Sequence, residues 1–156
     1  MDPTPFADDL REFLRSLGRH EVEYLLVGGY AVSLHGFPRN TADLDVWIRP
    51  VPANADRVMA ALRGFGFAPG PAEREALLTP GRILRLGYPP VRIELLTAPS
   101  GVEFVSCRSR AVILPIDGTE IPVLSLDDLI ANKRAAGRPK DLIDALELER
   151  LRGRSE

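Results

Sequence analysis

Cysteine is nearly absent from these 156 residues. The single one, Cys107, excludes an internal disulfide, has no metal-ligand neighbours, and fits a reducing, cytoplasmic setting. Long hydrophobic runs are missing as well: nothing approaches the roughly 20 apolar residues that span a bilayer. Asp2, Asp8 and Asp9 stand where a secretory leader needs positive charge, so no membrane partner is expected. There is no basic excess either. A net charge of −2 excludes a chain that coats nucleic acid with its whole surface, yet leaves room for a local basic patch. No internal repeat is visible. What remains is an ordinary globular composition, 45% apolar and 27% charged, and a length that fits one domain over residues 1–156.

Phe6, Leu10, Phe13, Leu14 and Leu17 recur at helical spacing and predict an amphipathic helix over 6–17, with Gly18 as its stop. Residues 23–27 read as a short buried strand ending in Gly28-Gly29, followed by a brief helix over 30–35 that Gly36 ends. Residues 43–48 alternate: Leu44, Val46 and Ile48 point one way, while Asp43, Asp45 and Trp47 point the other. Asn54 is placed to cap a helix through Leu62, and the Pro- and Gly-rich stretch 69–81 reads as a long loop with room for one helical turn. Strands return as "RILRLGY" and "VRIELLT", joined tightly through Pro89-Pro90, and Arg92 and Glu94 share one face of the second. Two more, near 111–114 and 121–124, flank the turn "DGTE". Ser125 is a good cap for a helix over 126–136, and Pro139 opens a last helix to about Leu151. The order implies an α/β (α+β) fold, a mixed sheet flanked by helices with the two C-terminal helices closing one side.

Three features carry chemistry. A strand ending in Gly28-Gly29 and leading into a helix lets backbone approach an anion such as phosphate, although glycine at such a turn also serves geometry alone; no Gly-Lys-Ser/Thr follows, which excludes a P-loop. Asp43 and Asp45 project from one strand face, close enough to hold Mg²⁺ between their oxygens, and Glu94 on a neighbouring strand can complete an acidic trio. The alternative for all three is a solvated polar face. Lys133 continues the apolar stripe of Leu126, Leu129 and Ile130, so it must either snorkel out or meet an anion. It opens the run Lys133, Arg134, Arg138, Lys140, which contains no acid and suits a triphosphate. For Asp144 the reading is an internal salt bridge or a partner of the helix dipole.

These residues resemble the DNA polymerase β-type nucleotidyltransferase superfamily, whose pattern is a hydrophobic-Gly-Gly/Ser turn, a spacer, Asp-x-Asp/Glu and a later acidic strand residue. Gly28-Gly29, Asp43-Leu44-Asp45 and Glu94 fit it, and the ending "LSLDDLIANKRAAGRPKDLIDALEL" is similar to the small AbiEii-like, toxin–antitoxin associated branch. The resemblance implies a nucleotidyltransferase-type fold, with Gly28 and Gly29 on the nucleotide phosphates and Asp43, Asp45 and Glu94 on Mg²⁺. It places Lys133 and Asp141 in the branch-specific part of the site, and extends the nucleotide-binding set to Tyr30, Arg39, Thr41 and Arg138. Gly29 stands where many members have serine.

The expected activity is Mg²⁺-dependent transfer of a nucleoside monophosphate from an NTP such as ATP to a hydroxyl. By family analogy an RNA 3′ end such as tRNA is favoured, with a protein side chain or a small molecule as other acceptors and a cognate antitoxin or toxin as a possible partner. The rival is a non-catalytic nucleotide-binding or partner-binding member of a two-protein module, and beyond it an α/β domain whose Asp-x-Asp is incidental.

Overall fold

The computed structural model describes residues 8–38, 43–88 and 91–155. The elements are α1 (Asp8–Arg19), β1 (Tyr24–Val27), α2 (Gly28–Leu34), β2 (Asp43–Ile48), α3 (Pro52–Phe65), α4 (Pro71–Leu78), β3 (Ile83–Tyr88), β4 (Val91–Leu96), α5 (Phe104–Ser109), β5 (Val112–Ile116), β6 (Thr119–Val123), α6 (Leu126–Ala136) and α7 (Pro139–Ser155). The strands form one mixed sheet in the order β3-β4-β2-β1-β6-β5. β1 runs antiparallel to β2 and parallel to β6, β2 and β4 are parallel, and the outer pairs β3–β4 and β5–β6 are antiparallel.

Period-two alternation divides the sheet into two faces. Leu26, Leu44, Val46, Ile48, Ile93 and Leu95 are buried on one of them. α1 buries Leu10, Phe13, Leu14 and Leu17, carries Asp8 and Asp9 at its positive end, and packs on α3 through the edge-to-face pair Phe13–Phe65 at 5.4 Å. The other face carries Asp43, Asp45 and Trp47, with Trp47 packed edge-on against Phe104 of α5 at 5.3 Å. α6 and α7 lie against each other beside this face.

Several expectations need correction. Gly18 does not stop α1, which runs on to Arg19; the left-handed residue that turns the chain is Glu21 (φ 55), with the Val22 N–H closing onto the Leu17 carbonyl. Asn54 is no cap. It lies two residues inside α3, which Pro52 opens, and its buried amide bonds the Glu23 N–H and the carbonyls of Glu23 and Arg49, tying α3 to the start of β1. The stretch 69–81 is mainly helix α4, because Gly70 and Pro71 act as N-cap and first helical position rather than as loop formers. α5 was not anticipated: it is six residues long and its cap is Glu103, whose carboxylate accepts from the Val105 and Ser106 N–H groups. β2 and α6 match their expected limits, and the Ser125 hydroxyl does accept from the Asp128 N–H. The expected Pro89-Pro90 connection lies outside the described residues.

Candidate functional site

Strand register builds the acidic cluster. In the β2–β4 ladder Asp45 sits opposite Glu94 and Asp43 opposite Arg92; across β3–β4, Arg85 sits opposite Glu94. All share one face, so Glu94 stands beside Asp45 in register, with Asp43 two positions along the same strand and opposite Arg92. Each is partnered differently. Arg92 grips Asp43 with two bonds, Nε to Oδ1 at 2.6 Å and Nη2 to Oδ2 at 3.0 Å, while Arg85 donates to Glu94 at 3.1 Å. Asp45 has no arginine ion pair among the described residues, and its Oδ1 is buried without a hydrogen-bond partner. Burial pushes the Asp45 carboxyl up to about 7, helped by the charge and hydrogen bond of Glu94 and by Asp43, with Lys133 pulling the other way.

Gly28 follows β1 with φ +72, and Val27 just before it pairs with Asp45. A Cβ on Gly28 would lie 2.1 Å from Asp45 Oδ2 and 2.9 Å from Asp45 Cβ and Cγ. Backbone and carboxylate therefore meet in a contact that only glycine permits. Gly29 occupies the first turn of α2, and Tyr30 behind it is buried, its hydroxyl held protonated by burial and by the charge of Asp43. Arg39 and Thr41 lie outside the described residues.

Lys133 neither snorkels nor waits unpaired. Its ammonium lies 3.2 Å from Asp144 Oδ2 and 3.5 Å from Asp141 Oδ1, and all three side chains are buried. The salt bridge expected of Asp144 is present. Asp141 also accepts from Arg138 Nε at 2.7 Å and from the Arg138 backbone N–H at 3.2 Å. Burial pushes the Asp141 carboxyl up, but the bonds from Arg138 and the Lys133 charge outweigh it and hold it below the usual range. Arg134 pairs with Glu149. The basic run is thus corrected: three of its four cations already have acids, supplied by α7 once the helices pack, and Lys140 alone is exposed with no ion pair among the described residues.

A cavity of about 260 Å³ opens between this sheet face and the α6–α7 corner. Gly28, Asp45, Lys133, Arg138 and Asp141 line it, and Arg82, Ser100 and Asn132 extend it towards the start of β3. That outer part was missed in the sequence. It is held by Thr97, whose buried hydroxyl donates to the Thr79 carbonyl at 2.8 Å and accepts from the Gly81 N–H at 3.1 Å. Arg92 was missed as the partner of Asp43, although its place on the Glu94 face was the signal that pointed to it.

Hard carboxylate oxygens are the donor set for Mg²⁺, and the orphaned Asp45 Oδ1 beside Glu94 fits a cation. Both Asp43 oxygens accept from Arg92. Among the described residues no group of three or more His, Cys, Asp or Glu side chains is gathered to hold a metal ion. Nor is any described helix long and apolar enough to cross a membrane.

Residues 8–154 match the model of the DUF6036 family, described as nucleotidyltransferases of unknown function. No curated protein matches the chain. Solved structures share the fold. A Thermotoga maritima protein provisionally classed as a nucleotidyltransferase is 18% identical, with 92% of this chain and 88% of that one aligned at a TM-score of 0.54. The antibiotic-resistance factor ANT(2'')-Ia, in complex with adenylyl-2''-tobramycin, is 14% identical over 91% of this chain and 84% of its own, TM-score 0.55. An antigenic nucleotidyltransferase-like protein from Paracoccidioides brasiliensis is 19% identical over 93% and 78%, TM-score 0.52.

Proposed function

The chain belongs to this nucleotidyltransferase family, and on that premise we propose that it transfers a nucleoside monophosphate from a Mg²⁺-bound NTP to a hydroxyl, using the cleft between Gly28, Asp45 and the α6–α7 corner. The observation that carries the reading is the Gly28–Asp45 contact: bare backbone lies against a buried carboxylate at the floor of a cleft whose far wall holds Lys133 and Arg138. Asp45, Glu94 and, once freed from Arg92, Asp43 would hold the cation, which supplies charge neutralisation and polarises the reacting oxygens. Backbone amides at Gly28 and Gly29 bind the phosphates; the resemblance adds Tyr30 and, outside the described residues, Arg39 and Thr41 to the nucleotide-binding set. Lys133 and Arg138 balance the triphosphate, and Asp141 orients both. In the reaction the acceptor oxygen bonds to the α-phosphorus, the α–β bridging P–O bond breaks, pyrophosphate leaves, and Glu94 accepts the hydroxyl proton.

The favoured acceptor is an RNA 3′ end such as tRNA, in keeping with the resemblance of 124–148 to AbiEii-like enzymes, and a toxin–antitoxin setting and cytoplasmic location follow from that resemblance. A second reading rests on the Arg92 grip, which closes Asp43 in the manner of a non-catalytic binding member of a two-protein module. Incubation with each α-labelled NTP and Mg²⁺, in separate arms with total RNA, cell protein and an aminoglycoside, tests both. Label on any acceptor, lost in Asp45→Asn, supports transfer and identifies the acceptor. Nucleotide binding with no label in any arm selects the second reading.

A further inference from the structure

α7 is apolar on two sides. Ala145 and Leu148 are buried beneath it, yet Leu142, Ile143 and Leu146 on its outer side are 46%, 57% and 57% exposed, and exposed Pro139 continues the same stripe at the i, i+3, i+4, i+7 spacing of one helical face. A helix covered by solvent alone carries polar residues there. Here the outward stripe turns polar only at Arg150.

The flanking charges say what covers it. Lys140 and Glu147 stand seven positions apart, hence on the same edge of the helix. Lys140 is exposed and has no ion pair among the described residues, and Arg150 engages only Oε1 of Glu147. The midpoint of 140 and 147 falls between Ile143 and Asp144, within one residue of the centre of the exposed apolar stripe. A two-fold axis through that point lays one α7 antiparallel on another, stacks the aliphatic residues, and brings Lys140 of each onto Glu147 of the other. A parallel pairing would set that edge of each helix on opposite sides of the contact, leaving Lys140 out of reach of Glu147. An unrelated partner would need no such symmetry.

We propose that this ridge pairs two copies of the chain through antiparallel α7 helices, with two Lys140–Glu147 contacts across the axis. Asp141 faces the cleft from the same helix, so each cleft would lie about one helix width, roughly 10 Å, from the interface.

Sedimentation equilibrium of the full chain at tens of micromolar should give twice 17.2 kDa. Ile143→Glu should give the monomer mass with an unchanged circular-dichroism spectrum. Lys140→Glu and Glu147→Lys should each weaken association about 2- to 10-fold at low salt, and the double variant should restore it, since both pairs are remade with signs exchanged. A monomeric wild type, which would assign the ridge to a different protein, overturns the proposal. So does a dimer that survives Ile143→Glu, or a double variant no tighter than either single one.

Discussion

Asp45 and Glu94 face each other across a parallel ladder, and of the two only Glu94 pairs with an arginine among the described residues. Asp45 keeps its proton to about 7, chiefly through burial and then through Glu94. The folded chain therefore binds more protons than the unfolded one between the ordinary aspartate range and neutrality, and metal-free stability falls as pH rises through that window. Asp45→Asn should remove the slope, gaining about 1 to 3 kcal/mol over the wild type at pH 8 and little at pH 4, while abolishing transfer. Thermal melts of both proteins across pH, with and without Mg²⁺, check this. A wild-type melting temperature that is flat from pH 5 to 8 would contradict it.

Glu94→Gln should lower turnover by about two to four orders of magnitude and leave NTP affinity nearly unchanged, because in the proposed reaction this carboxylate acts on the attacking hydroxyl. Steady-state kinetics beside calorimetric titration with a non-hydrolysable NTP separates the two effects. Equal turnover in variant and wild type removes Glu94 from the site.

Lys133→Met takes away the ammonium 3.2 Å from the buried Asp144 carboxylate, and should cost about 3 kcal/mol of stability in addition to any loss of NTP affinity. Adding Asp144→Leu should recover most of that stability but not transfer. Denaturant titration of the three proteins decides; a stable single variant would mean that the ion pair does little.

Gly28→Ala and Gly118→Ala both place a side chain at positive φ, +72 and +79, a strain of about 1 kcal/mol each. Only at Gly28 does the new Cβ strike something, Asp45 Oδ2 at 2.1 Å, whereas nothing lies within 4 Å at Gly118. Gly28→Ala should therefore lose transfer and melt well below Gly118→Ala, which should remain active.

Arg92→Gln should take the guanidinium fork off Asp43 and tighten Mg²⁺ binding in the absence of nucleotide by roughly 3- to 10-fold, since a charge-assisted fork no longer competes for the same oxygens. Metal titration followed by calorimetry reads it directly.

The acidic face was legible because strand alternation is local: Asp43, Asp45 and Glu94 had to share faces with residues two positions away. α6 was legible because Ser125 and Gly137 bracket it with ordinary caps. What stayed hidden depended on elements meeting in space. No local signal says that Asp144 and Asp141 of α7 will close over Lys133, which is why the basic run looked free of acids. Arg92 could be placed on the right face but not opposite Asp43 until the β2–β4 register was known. Gly18, Asn54 and the Gly70-Pro71 pair misled for a related reason, since each residue type serves both as punctuation and as an ordinary part of a helix or its first turn.

The crossover between β2 and β4 has a kinetic consequence. Asp43 and its partner Arg92 are 49 positions apart, and parallel neighbours cannot be closed by a hairpin, so the two strands meet only by closing the long loop that holds α3, α4 and β3. Helices and the β5–β6 hairpin rely on near neighbours and form early; a contact over so long a loop forms late. A refolding chain should regain its circular dichroism before it regains any affinity for a cation, and one released halfway would carry its carboxylates singly.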